Sequence, residues 1–96
     1  MRHSYIVTYD IADPKRLRLV FKICKDYGAH LQFSVFECDL NPREKIEMER
    51  KLSQTISNAE DQLLFILIGP TETRGERLIS ALGLPYIKFD SSCYVV

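Results

Sequence analysis

Tyr5-Ile6-Val7-Thr8-Tyr9 is a run of β-branched and aromatic residues, the composition of a pleated, largely buried strand. It predicts a first strand over residues 3–10 that stops on the carboxylate of Asp10. Asp13-Pro14 then reads as a helix start, because Asp caps well and Pro is tolerated at the first helical position. A helix over 14–27 gathers Leu17, Val20, Phe21 and Cys24 on one face and Lys15, Arg18, Lys22 and Lys25 on another, at the spacing of an amphipathic helix. Such a basic stripe reads equally as a solvated surface. Gly28 is expected in the left-handed conformation that ends many helices.

Residues 30–40 read as extended. Leu31, Phe33, Val35 and Glu37 alternate with Gln32, Ser34, Phe36 and Cys38, and Val35 is expected in the core. The pattern fits one bent strand, or a short strand running into a longer one near Ser34. Asn41-Pro42-Arg43-Glu44 carries a capping box, opening a helix to about residue 57. Its apolar side is expected to hold Ile46, Leu52, Ile56 and Ala59, with Glu47 and Lys51 as an i, i+4 pair. Leu63-Leu64-Phe65-Ile66-Leu67-Ile68 is a continuous apolar run that predicts a central strand buried on both faces, closed by Gly69-Pro70. A third helix is expected over 71–82, with Leu78, Ile79 and Leu82 packed and Gly83 at its end, then extended pieces at 86–89 and 94–96. This alternation predicts an α+β two-layer sandwich of split βαβ type in a single domain, 1–96, both long helices lying on one sheet face. The apolar Cys93-Tyr94-Val95-Val96 needs a sheet edge, its own or another subunit's.

Charge adds little by itself. Lys plus Arg and Asp plus Glu are 13 each, so nucleic-acid binding requires a local basic patch. No apolar segment reaches membrane-spanning length, and the N-terminus lacks the apolar core of a signal peptide. Cys24, Cys38 and Cys93 are too few and too scattered for a disulfide framework or a thiolate metal site, which suits a reducing cytoplasm. His3 and His30 form no nucleophile–base set, and neither a H-E-x-x-H motif nor a phosphate-cradling glycine loop occurs. Acids and arginines remain: Asp10, Asp13, Arg16, Arg18 and Glu37. Since Asp13 does the capping, Asp10 is free to hold Mg²⁺, an ion that keeps most of its waters. Two copies of Asp10 facing across a twofold axis could share that ion while arginines hold phosphate. The plainer alternative is that Asp10 only shapes the turn.

Tyr9-Asp10-Ile11-x-Asp13, Arg16-x-Arg18, Tyr27-Gly28, Gln32-x-Ser34-Val35-Phe36-Glu37-Cys38 and Asp61 before an apolar strand occur in this order over about residues 4–70. In these motifs the chain resembles the Cas-two family of CRISPR-associated endoribonucleases. The resemblance implies a ferredoxin-like βαββαβ core over about 3–70. It also implies a symmetric homodimer in which an extra C-terminal strand, within 84–96, is exchanged between partners. Function would be metal-dependent hydrolysis of single-stranded RNA or double-stranded DNA, with magnesium held between two Asp10 residues. The family also bridges the CRISPR integrase as a DNA-binding scaffold during spacer acquisition, without need of cleavage. Residue by residue, Tyr9 and Asp10 are implied as catalytic, Arg16 and Arg18 as phosphate-holding, and Ser34 and Phe36 as lining the cleft. His30 stands where members often carry arginine, and a neutral imidazole holds phosphate more weakly. A small metabolite-binding regulatory domain is the remaining alternative.

Overall fold

Asp13 accepts a hydrogen bond from the Arg16 N–H at 3.0 Å, and the helix begins at Pro14 as its sequence demands. The computed structural model describes residues 1–74 and 82–84. Its elements are β1 (His3–Asp10), α1 (Pro14–Tyr27), β2 (Gly28–Gln32), β3 (Val35–Leu40), α2 (Pro42–Thr55), β4 (Gln62–Pro70) and a short α3 (Thr71–Arg74). The first strand and first helix match the predicted bounds. The extended stretch after them divides at Phe33–Ser34 into two strands. The expected packing of Leu78 and Ile79 and the C-terminal extended pieces, with the exchanged strand, lie outside the described residues. Leu82, expected to pack, is exposed.

The strands form one antiparallel sheet in the order β2-β3-β1-β4, the ferredoxin-like arrangement. Val7 and Tyr9 of β1, with Phe36, Cys38 and Leu40 of β3, meet Val20, Phe21, Cys24, Met48 and Leu52 from the helices in one core. Alternation sends Ile6 and Thr8 to the opposite face, where they lie across from Ile66 and Leu64 of β4.

Three further expectations are corrected. Gly28 is extended, with φ −162° and ψ −171°, and passes directly from helix into β2. Glycine is required there because it pairs with Cys38, and a Cβ would run into the Glu37 carbonyl oxygen and lie 2.5 Å from Cys38 Sγ. In α2 the capping box forms, with Glu44 N–H to Asn41 Oδ1 at 2.8 Å and Asn41 N–H to Glu44 Oε1 at 2.9 Å. The phase it sets buries Met48 and Leu52, whereas Ile46 is 65% exposed and Ala59 is also at the surface. Glu47 pairs with Arg43 and accepts from the Tyr27 hydroxyl, while the Lys51 ammonium lies over the Tyr27 ring. Finally, among the described residues β4 is an edge strand. The helices cover Leu63 and Phe65, leaving Leu64, Ile66, Leu67 and Ile68 exposed in the protomer.

Candidate active site

Asp10 ends β1, opposite Gln62 of β4, at the end of the sheet where the chain turns into α1. It is exposed, and among the described residues its carboxylate has no hydrogen-bond or ion-pair partner. The other two acids around this turn are occupied. Asp13 caps α1. The Asp61 side chain is fully shielded from solvent and accepts from the Ala12 N–H at 2.9 Å, the Ser57 N–H at 2.8 Å and Arg16 Nε at 2.8 Å. A second Arg16 nitrogen reaches Asp61 at 3.3 Å and Glu60 at 2.9 Å. The Arg16 hydrogen bonds, with those of the two backbone N–H groups, outweigh burial and hold the Asp61 carboxyl well below the usual carboxylate range. Arg16 is correspondingly pushed further up, first by its hydrogen bond to Asp61.

Nothing local in the sequence marks this clamp. Asp61 and Arg16 were each visible, but their contact spans a separation of 45 residues, with no periodicity to reveal it. It also places Arg16, expected to hold phosphate, against protein carboxylates. Its guanidinium is committed to protein carboxylates and braces the turn after Asp10. Arg18 lies exposed on α1 with Lys15 and Lys22, and it remains available to phosphate.

Strand alternation separates the remaining expected residues. Tyr9 points away from Asp10 into the core, 5% exposed, its ring stacked on Phe36 at 6.3 Å. Its hydroxyl is buried without a hydrogen-bond partner among the described residues. Burial first, and then Cys24, raise its pKa well above the ordinary phenol value. In the protomer Tyr9, expected as catalytic, is therefore placed in the core packing. Phe36, expected to line the cleft, lies in the core at 0% exposure, with the Phe21 ring 5.4 Å away. Val35, expected in the core, is only partly buried. His30 packs against Phe21 and Phe36 at 5.0 and 4.9 Å, and its Nε2–H donates to the Phe33 carbonyl at 2.7 Å. A ring nitrogen so engaged braces the turn. Ser34 sits in that turn, its carbonyl accepting from the Tyr9 N–H at 3.2 Å. Thus Asp10, Ser34 and the clamped start of α1 share one end of the sheet. A cavity of about 300 Å³ touches Ser4, Glu37, Asp39 and Thr71 at the other end and includes none of these residues.

The sequence model of the CRISPR associated protein Cas2 family matches residues 3–74. The chain belongs to the Cas2 family. A CRISPR-associated endoribonuclease Cas2 of Rhodospirillum rubrum is 47% identical over 70 residues, covering 73% of this chain and 69% of that protein. One from Geobacter sulfurreducens is 42% identical over 83 residues, covering 86% of each. Among solved structures, Cas2 of Streptococcus pyogenes superposes with a TM-score of 0.67 at 38% identity, over 80% of this chain and 99% of that one. A hypothetical protein of Thermus thermophilus gives 0.74 at 26% identity, over 91% and 100%. The match with Cas2 thus takes in every element from β1 to α3. Among the described residues, no helix is long and apolar enough to cross a membrane.

Proposed function

We propose that this Cas2-family chain is a metal-dependent endoribonuclease acting as a homodimer, with Mg²⁺ held between two Asp10 carboxylates. The observation that carries this reading is that, of the acids around the first turn, only Asp10 has its carboxylate uncommitted. Relatives that share the chain's core are named endoribonucleases. The donor set fits a largely hydrated ion: among the described residues no group of three or more His, Cys, Asp or Glu forms a metal cage. Mg²⁺ is content with one or two carboxylates and water. When bound, such an ion would stabilise charge on the scissile phosphate and lower the pKa of an attacking water. Asp10 supplies the anchoring charge and Arg18 holds a phosphate. Arg16 and Asp61 fix the turn that aims Asp10. The apolar face of Ile6, Leu64 and Ile66 is what a second copy would cover.

The test is cleavage of single-stranded RNA, and separately of duplex DNA, with Mg²⁺ and with EDTA. Cleavage should require the ion and vanish in Asp10→Asn, without loss of thermal stability because the carboxylate is exposed. Undiminished cutting by Asp10→Asn, or in EDTA, overturns the reading.

A second reading has its own observation. With Arg16 committed to Asp61, the open cations of α1 are Lys15, Arg18 and Lys22, a patch suited to the duplex backbone. On this reading the dimer is a scaffold that binds DNA and bridges the CRISPR integrase. Salt-sensitive DNA binding would then survive Asp10→Asn and weaken when Arg18 and Lys22 are neutralised.

A further inference from the structure

The loop between β2 and β3 is only Phe33 and Ser34. Tight hairpins of this length usually place glycine, asparagine or aspartate where φ is positive. Phe33 occupies such a position with φ +35°, and its side chain is 79% exposed. Both features oppose a phenylalanine: the backbone disfavours a Cβ there, and the ring gains no burial within the protomer. Strain of this kind persists where surrounding contacts impose it, and it gathers at ligand-binding sites.

The contacts that impose it are present. The Phe33 carbonyl is held by His30 Nε2–H at 2.7 Å, and the Ser34 carbonyl by the Tyr9 N–H at 3.2 Å. His30 is itself wedged against Phe21 and Phe36. The loop is therefore pinned on both sides, and one of its pins is the residue before Asp10. An aromatic side chain on a rigid mount stands at the end of the sheet where the candidate carboxylate emerges.

We infer that Phe33 is a stacking platform for an unpaired nucleobase of a strand whose phosphate lies at Asp10. The inference rests on the nucleic-acid-binding reading above and narrows it, because a base inside a duplex has both faces already stacked. Aromatic stacking on single strands is strong and tolerant of sequence, so the residue would select strandedness more than sequence.

Binding is measured with a single-stranded oligouridylate of about ten nucleotides, within the site sizes common for single strands, on an Asp10→Asn background. Phe33→Ala should weaken it roughly ten-fold, and Phe33→Tyr should preserve it. Replacing the bases by abasic sites should erase the difference between parent and Phe33→Ala, since the phosphates are unchanged. Phe33→Gly relaxes the backbone as it removes the ring. It should melt no lower than the parent and still bind weakly, a combination that a merely structural ring would not give. The natural chain has no tryptophan, so Phe33→Trp reports directly: its fluorescence should be quenched by the oligouridylate and not by the abasic strand. Equal binding by parent and Phe33→Ala overturns the inference, as does an equal loss on the abasic strand. A shift in oligomeric state of Phe33→Ala also overturns it, assigning the ring to contact between copies. Loss of cleavage alone would fail the nuclease reading and leave this binding result standing.

Discussion

The Arg16 guanidinium lies 2.8 Å from the Asp61 carboxylate, which is wholly shielded from solvent. Through the same carboxylate, the backbone of Ala12 and of Ser57 is tied to one point. The start of α1, the end of α2 and the entry to β4 are thereby locked around the turn that follows Asp10. A buried carboxylate needs such company, because losing one partner of a buried ion pair leaves an uncompensated charge.

The pair has a testable pH signature. The Asp61 carboxyl is depressed in the folded chain relative to about 3.9 when unfolded. Ionised Asp61 therefore stabilises above that value, and the contribution is lost as pH falls below about 4. Thermal melts of Asp61→Asn should show lower stability at neutral pH and a flatter decline in acid. Arg16→Ala should destabilise as well, and the double variant should lose less than the sum of the singles. Additive losses would show that the two side chains do not work as a unit.

Local signals along the chain settle what local chemistry controls. Asp13-Pro14 and Asn41-Pro42-Arg43-Glu44 set both helix starts to the residue, because caps act within one turn. What depends on distant partners was illegible. Ile46 looked like part of a buried stripe, yet Met48 and Leu52 face the core. The continuous apolar run of β4 reads as central, although among the described residues it is an edge whose outer face no helix covers. Phe36 and Tyr9 carry the motif of a site, and their burial in the core depends on partners the motif does not name. The exposed ring, Phe33, lay inside the same motif, and only the split of the strand at that point could have marked it.

The uncovered face of β4 bears on assembly. In the proposed two-chain arrangement Ile66, 46% exposed in the protomer and opposite Ile6, lies against the second copy. Ile66→Lys should then shift sedimentation from dimer toward monomer and abolish cleavage that needs both Asp10 residues. Lys at this position should leave the protomer's fold intact, since surface substitutions typically change stability by less than about 0.5 kcal/mol. An unchanged sedimentation coefficient would assign that face to something other than a second copy.

Gly28 gives a sharper steric test. Its close pairing with Cys38 leaves no room for a methyl group, so Gly28→Ala should force β2 away from β3. Overpacking of this kind costs about 1–3 kcal/mol, readable as a lower denaturation midpoint. Since β2 carries His30 and leads into the Phe33–Ser34 loop, oligonucleotide binding should weaken in parallel. Wild-type stability in Gly28→Ala would mean that the two strands are less tightly apposed than described.

The buried thiols make a prediction in the opposite pH direction from Asp61. Cys24 and Cys38 are both at 0% exposure, and burial pushes each thiol up to about 12, with Cys38 adding to the effect on Cys24. An unfolded thiol ionises near 8.5, so the fold holds its protons longer than the unfolded chain does. The sign follows: their contribution is complete below the ordinary thiol value and is lost as pH rises from about 9 to 12. Each thiol removes up to about 1.4 kcal/mol of stability per pH unit inside that window. Urea titrations should therefore show a steep alkaline decline, and Cys24→Ala with Cys38→Ala should make it shallower despite a lower starting stability. At neutral pH, on a Cys93→Ser background, a thiol reagent should label Cys24 and Cys38 only as fast as the protein unfolds. Prompt labelling of the native protein would show that solvent reaches the core between the helices and β3.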